Sequence, residues 1–357
     1  MQPPNRTLKG HKLLLVVQES PDSEVLARLQ SIFSDLQIQV HELSSESGSG
    51  DLEKAWKDAS IVLTSVTFPS IEQAPKLQLV QITSAGANAV LDKPIFKDTE
   101  ISFCTANGVH GPQISEWVIS TFLSFQHNKV VPKYLEHQRE GKWRPVKEMT
   151  DDSVGQRVGI LGYGSIGRQV ARLCKALGMD VHAYTLHERK TPDSKRDDSY
   201  APPGLGDPDG SLPSKWFFGE STQELHEFLG SDLDLLVVSM PLTEKTRGLI
   251  SKNEFQVLSK KKTFVSNIGR GPIINTDDLM DALNSETIRG AALDVTDPEP
   301  LPDGHALWSA KNVIITPHVS GATKSYNERV MEILIANLTR FSEGKKLMNL
   351  VSRKEGY

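Results

Sequence analysis

The sequence has only two cysteines in 357 residues, Cys104 and Cys174. They lie far apart on apolar segments, with no CxxC and no Cys/His spacing suited to a metal. No disulfide framework, zinc site or dithiol redox centre is therefore expected, and both thiols read as small core hydrophobes. Positive charge is short as well: 40 Lys and Arg against 45 Asp and Glu leave a formal charge of -5. Nucleic-acid binding rests on a surplus of cations, so none is expected, and the basic run Lys260 to Lys262 reads as a solvated loop before a strand. Long apolar runs are missing too. "LLLVV" near the start is too short for a signal-peptide core or a membrane span, and "KEGY" at the end carries no address. A cytoplasmic protein with no membrane partner is the expectation. No internal repeat or coiled-coil heptad occurs.

What is present is an ordinary soluble mixture, 38% hydrophobic and 24% charged, in a chain long enough for about two domains. In the first third, "KLLLVV" (12–17), "IVLTSV" (61–66), "LQLVQI" (77–82) and "ISFCTA" (101–106) predict buried strands. Between the first two, Val25, Leu26, Leu29, Ile32 and Phe33 repeat at helical spacing behind a cap at Asp22 or Ser23. Residues 113–141 carry Trp117, Val118, Thr121, Phe122 and Phe125 on one helical face, as suits a domain bridge or a dimer contact. A second alternating series runs through "RVGILGYG", "VHAYT", "LDLLVVSM", "KTFVSN", "RGAALDV" and "NVIITPH", six strand candidates. A last helix, with Val330, Leu334, Asn337, Leu338 and Phe341, returns to the first domain. The expected architecture is α/β, with two doubly wound parallel-sheet domains. Residues 1–117 and 326–357 form one and 118–325 the other. A segment rich in Pro, Gly, Asp and Ser, 191–215, breaks the regularity and predicts a loop beside a ligand mouth, outside the core.

"GYGSIG" places Gly162, Gly164 and Gly167 in GxGxxG spacing, directly after "RVGIL" and before a helix with Val170, Leu173, Cys174 and Leu177 on one face. Gly162 permits the tight turn, Gly164 lets the backbone approach a pyrophosphate, and Gly167 lets helix meet strand, the fingerprint of a Rossmann dinucleotide domain. The pyrophosphate is expected on the helix N-terminus. Where NAD-preferring folds carry an acid, "VHAYT" ends in the neutral Thr185, followed by His187, Arg189 and Lys190. Arg189 and Lys190 would clamp a 2'-phosphate, with Thr185 and His187 donating hydrogen bonds, so NADPH is expected over NADH. The alternative has Glu188 turned inward and the two cations merely solvated.

Open parallel sheets bind ligands beyond the carboxyl ends of their strands. Three reactive residues fall at such ends: Arg270 in "TFVSNIGRGPIIN", Glu299 after "RGAALDVTDPEPLP" begins, and His318 in "NVIITPHVSGAT". An arginine to hold a carboxylate and polarise a carbonyl, an imidazole to give a proton, and a carboxylate to keep that imidazole charged and oriented suit reduction of a 2-oxo acid.

With these stretches, and with "MPLTEKTRGLI", "SNIGRGPIINTDDLMDAL", "ITSAGANAVL" and "NGVHGPQISEWV", the chain resembles the D-isomer-specific 2-hydroxyacid dehydrogenase family. The resemblance implies a Rossmann cofactor domain and a flavodoxin-like substrate domain completed by the C-terminal helix, in a homodimer. It implies Arg270, Glu299 and His318 as the catalytic set, with Ala85 and Gly86 holding the substrate carboxylate through their backbone N–H groups. Tyr163, Ser165, Ile166, Met240, Pro241, Thr246, Ile268, Asp294 and Gly321 join the glycines, Arg270 and His318 as cofactor contacts, Asp294 meeting the nicotinamide amide. The neutral Thr185 is similar to the family's NADPH-using glyoxylate and hydroxypyruvate reductases, and the 191–215 insertion departs from the pattern. Glu299 stands where formate dehydrogenases have glutamine. Phosphoglycerate dehydrogenase and a dinucleotide-sensing corepressor are the alternatives. Phe68 and His110 are expected near the substrate's side chain, whose identity the sequence leaves open.

Overall fold

A computed structural model describes residues 5–43, 49–127, 131–145 and 149–354. The chain divides into two compact units: Met1–Val109 with Asp198–Pro202 and Thr323–Tyr357, and His110–Asp197 with Pro203–Ala322.

The first unit is built on five parallel strands: β1 (Lys12–Val17), β2 (Gln37–Glu42), β3 (Ile61–Thr64), β4 (Leu79–Ile82) and β5 (Ser102–Cys104). Their order, β2-β1-β3-β4-β5, is that of a flavodoxin-like doubly wound sheet. The continuous apolar run of β1 is explained by burial on both faces. Leu13 and Leu15 join Val330, Ile333, Leu334 and Leu338 of the helix Tyr326–Ser342. Leu14 and Val16 join Trp56, Phe96 and Phe103. Within this core the buried Asn337 amide donates to Gln81 at 2.8 Å, so the returning helix is held by a satisfied polar pair as well as by apolar contact. β2 was not among the expected strands. It lies at an edge, where Ile38 and Val40 alternate with polar residues and only half-bury, so it lacks the long apolar run that marks its neighbours.

The second unit carries seven parallel strands: β6 (Arg157–Leu161), β7 (Asp180–Thr185), β8 (Lys215–Phe218), β9 (Leu235–Val238), β10 (Phe264–Asn267), β11 (Gly290–Leu293) and β12 (Val313–Ile315). The order is β12-β11-β10-β9-β6-β7-β8, which reverses direction between β6 and β9 as a Rossmann sheet does. The six expected strands are all present, and β8 is a seventh. Only four residues long and half-exposed at the sheet edge, it emerges directly from the insertion, where composition hid it. The helix Gly111–Gln126 buries Ile114, Val118 and Phe122 against Val158, Val170 and Ala171, so this face is core of the second unit. No helix among the described residues is long and apolar enough to cross a membrane.

The insertion is a loop for most of its length, but it is fastened at both ends and contributes to a core. Tyr200 is 8% exposed in the first unit's core, where Gly108 leaves room for its backbone. Asp207, 4% exposed, is buried in the second unit. Composition missed this because the anchoring is polar and aromatic, one residue at a time, with no periodic apolar pattern.

Candidate active site

The glycine turn lies where the strand order reverses, at the carboxyl end of β6. Gly162 has φ +104°, and a Cβ there would come within 2.8 Å of the Met240 nitrogen beyond β9. A Cβ on Gly167 would lie 2.5 Å from the Gly162 carbonyl oxygen, so the helix Ser165–Ala176 meets the strand at a distance only glycine allows. At Gly164 a Cβ would meet nothing within 4 Å, and no side chain caps the helix there. The first and third glycines are filled by protein; the middle one faces open space at a positive helix end. That arrangement fits a dinucleotide pyrophosphate.

Beyond β7, the Thr185 hydroxyl donates to the His187 carbonyl at 2.8 Å. Glu188 lies toward solvent in an ion pair with Lys190 at 2.8 Å, and is not turned inward. Arg189 is half-buried; its Nη1 donates to the Ser194 carbonyl at 2.7 Å, while its Nε is shielded from solvent and has no hydrogen-bond partner among the described residues. An unsatisfied buried guanidinium nitrogen costs about 1–3 kcal/mol, a cost an anion would remove.

Tyr163, inside the fingerprint, turns its side chain into the insertion, donating to Asp207 Oδ2 at 2.7 Å. Burial first, and then that carboxylate, push its phenol well above the ordinary value, so it stays a donor. Arg168, 5% exposed, lies 5.0 Å over the Tyr163 ring and forms an ion pair with Asp197 at 3.2 Å. It also donates to the carbonyls of Asp207 and of Lys195, the latter at 2.7 Å. Asp207 and Arg168 had no sequence signal of function, since their partners lie some tens of residues away.

At the other side of the sheet, the loops after β10, β11 and β12 carry Arg270, Glu299 and His318. Asn267, 1% exposed at the end of β10, fixes the Arg270 turn: its amide donates to the Arg270 carbonyl at 3.2 Å and its oxygen accepts from the Gly269 N–H at 3.1 Å. The sequence reading missed Asn267; a polar residue closing a fully buried strand was the available signal. Gly271 follows so closely on the β11 loop that a Cβ would lie 1.8 Å from the Thr296 carbonyl oxygen. The arginine's turn is thus packed on the segment that leads to Glu299.

Glu299 and His318 are in direct contact, Oε1 to Nδ1 at 2.7 Å. Both are partly exposed, and among the described residues His318 Nε2 makes no hydrogen bond. His318 adopts φ +54°, an unfavourable region for a side chain that local hydrogen bonds must hold. Asp294, 2% exposed, supplies them. Its backbone carbonyl accepts from the His318 N–H at 2.8 Å. Its carboxylate accepts from the Thr316 hydroxyl at 2.6 Å, the Val319 N–H at 2.9 Å, and both the N–H and the hydroxyl of Ser320. The carboxylate is therefore committed to the loop that carries the imidazole.

Of the remaining expected residues, Met240 packs beside the glycine turn and Ile268 is 7% exposed in the core. The Thr246 hydroxyl closes its own loop by donating to the Pro241 carbonyl at 2.9 Å. Ser165 and Ile166 open the glycine helix. Gly321 lies against His110, whose neighbour Gln113 donates to the Gly321 carbonyl at 3.0 Å. Ala85 and Gly86 lie past the carboxyl end of β4, in the first unit, where the Ser84 hydroxyl donates to the Gly86 carbonyl at 2.7 Å. Phe68 packs toward Phe103 in that unit's core.

A Rossmann sheet with an open pyrophosphate turn and a carboxylate-held imidazole at its strand ends defines a dinucleotide-dependent oxidoreductase. Residues 121–202 and 214–320 match the model described as "D-isomer specific 2-hydroxyacid dehydrogenase, NAD binding domain". The hydroxypyruvate reductase of Blautia hydrogenotrophica is 31% identical, over 83% of this chain and 86% of its own. The glyoxylate reductase of Aeropyrum pernix is 34% identical, over 80% and 79%. A D-isomer specific 2-hydroxyacid dehydrogenase from Xanthobacter autotrophicus, solved in complex with NADPH and MES, superposes with a TM-score of 0.68 at 26% identity, covering 98% of this chain and 100% of that one. The chain belongs to the D-isomer specific 2-hydroxyacid dehydrogenase family.

Proposed function

We propose that the enzyme reduces a small 2-oxo acid to the D-2-hydroxy acid with NADPH. The observation that carries this reading is the 2.7 Å contact between Glu299 and His318 Nδ1, which commits one ring nitrogen and, among the described residues, leaves Nε2 without a hydrogen bond. An imidazole held at one nitrogen and open at the other can deliver a proton to an oxygen placed before it. When bound, the reduced nicotinamide supplies the hydride; the protein's own residues do the rest. Arg270 grips the substrate carboxylate and draws charge toward the carbonyl oxygen. His318 then protonates that oxygen from Nε2, while Glu299 keeps the ring oriented and balances its charge. In the oxidative direction the same imidazole takes the proton back.

For the cofactor, the neutral Thr185 and the unpartnered Nε of Arg189 support NADPH, and the Xanthobacter relative was solved with that cofactor. For the substrate, relatives named hydroxypyruvate reductase and glyoxylate reductase support a short side chain. A homodimer belongs to the same reading. Leu135, Trp143, Met149 and Val154 of the second unit stand exposed, an apolar set that a second copy would cover. The cytoplasm is the setting in which a reduced-nicotinamide enzyme with two buried free thiols would work.

The test is to mix the purified protein with NADPH and, in turn, glyoxylate, hydroxypyruvate and phenylpyruvate, and follow the loss of reduced-nicotinamide absorbance. Turnover of the two small acids is expected. Dinucleotide binding without turnover of any 2-oxo acid would replace the reading with that of a sensing module.

A further inference from the structure

We propose that the turn Thr191–Ser194 of the insertion is a specificity device, which sets the Arg189 guanidinium to read the cofactor's 2'-phosphate. This rests on the NADPH reading above and deepens it, since that reading names the cation but not what positions it. A guanidinium on an unrestrained loop would lose side-chain entropy on meeting a phosphate, and pre-ordering it removes that cost.

The turn is closed on itself. The Thr191 N–H donates to Ser194 Oγ at 3.0 Å, the Ser194 N–H donates to Thr191 Oγ1 at 3.1 Å, and Ser194 Oγ donates to the Thr191 carbonyl at 2.8 Å. Pro192 fixes the backbone at the first helical position. This reciprocal cap aims the Ser194 carbonyl at Arg189 Nη1, 2.7 Å away. With Nη1 taken, Nε is left without a hydrogen-bond partner among the described residues, and the edge of the planar fork that it shares with Nη2 is the one suited to hold a phosphate side-on.

The turn is also anchored to the glycine helix. The Lys195 carbonyl accepts from Arg168 Nη2 at 2.7 Å, and the Asp207 carbonyl further along the insertion accepts from Nη1 of the same residue. One buried arginine therefore ties the pyrophosphate-facing helix to the segment that holds the phosphate-reading arginine. The spacing between the two cofactor contacts is set by the insertion, and the loop after β7 is not left to find it unaided.

The experiment compares dissociation constants for NADPH and for NADH, measured by nicotinamide fluorescence on the full-length protein, its Thr191→Val/Ser194→Ala variant and its Arg189→Ala variant. Removing the reciprocal cap is expected to weaken NADPH about 5- to 10-fold, the worth of one or two lost orienting hydrogen bonds, and to leave NADH within about twofold. Arg189→Ala should erase the preference itself. If Arg189→Ala leaves the NADPH-to-NADH ratio unchanged, the phosphate reading fails and the device with it. If Arg189→Ala lowers the ratio but the turn variant does not, or weakens both cofactors alike, the device is overturned while the phosphate reading stands. The milder Ser194→Ala alone, checked for an unchanged circular dichroism spectrum, provides the same comparison should the double variant not fold.

Discussion

The two ends of the second unit's strand crest hold their functional residues by different means. After β10, β11 and β12, each residue is held from nearby in the chain or from the adjacent strand. Asn267 fixes the turn three residues on, Asp294 holds the loop through His318 and Ser320, and Glu299 reaches His318 across neighbouring loops. After β6 and β7, the holding groups come from the insertion: Asp207 takes the Tyr163 phenol, and the 191–195 turn takes Arg168 and Arg189. The first end is a property of the sheet. The second is an addition to it, and under the proposed function it would let cofactor preference be set without disturbing the Glu299–His318 pair.

If that division is right, variants at the first end should damage turnover and spare dinucleotide binding. The largest effect is expected for His318→Ala, a fall in kcat of about 10²- to 10⁴-fold with the NADPH dissociation constant nearly unchanged; loss of both together would blur the division. Arg270→Ala should lower kcat/KM for the oxo acid by about 10²-fold, through loss of charge-assisted hydrogen bonds to the carboxylate, and steady-state kinetics with glyoxylate would reveal it. Glu299→Gln should cost about 10- to 100-fold in kcat, less than its partner because the imidazole remains, and an unaltered kcat would remove its orienting role.

The smallest expected effect belongs to the sheet itself. Burial first, and then Arg157, push the His182 imidazole on β7 down to about 4, from 6.5 when exposed. The folded state therefore binds this proton less readily than the unfolded chain. His182's contribution is complete above about pH 6.5 and is lost as pH falls from 6.5 toward 4. Thermal melts across that range should show a decline that flattens in His182→Gln, with turnover at neutral pH little changed; an equally steep decline in the variant would show that other groups carry it.

Much of the catalytic end could be read in the sequence because β9, β10 and β11 are short, wholly buried runs whose first polar residues mark the crest. Arg270 stands out there for that reason, while His318 stands out just past the apolar run of β12, a half-buried strand. Asp294 stood out too, but its commitment to the Thr316, Val319 and Ser320 donors depends on how two adjacent strands align, which no local pattern encodes. The glycine fingerprint was equally legible, since Gly162 and Gly167 answer steric demands at fixed spacing in the turn and Gly164 leaves the helix end open. The edge strands β2 and β8 were not, because half-exposed strands mix polar and apolar residues. Nor was the role of 191–212. A segment dense in Pro, Gly and Asp signals a loop, and only tertiary contact shows that its carbonyls take Arg168 of the glycine helix and Arg189, and that the Asp207 carboxylate takes the Tyr163 phenol of the glycine turn.

The account depends most on Glu299 and His318 acting as one proton-delivering unit, and a double-mutant cycle on kcat for glyoxylate reduction measures this directly. If they act together, His318→Ala/Glu299→Gln will turn over no more slowly than His318→Ala alone. If the double variant loses the full additional factor seen for Glu299→Gln by itself, the two residues act separately and the pairing has no catalytic meaning.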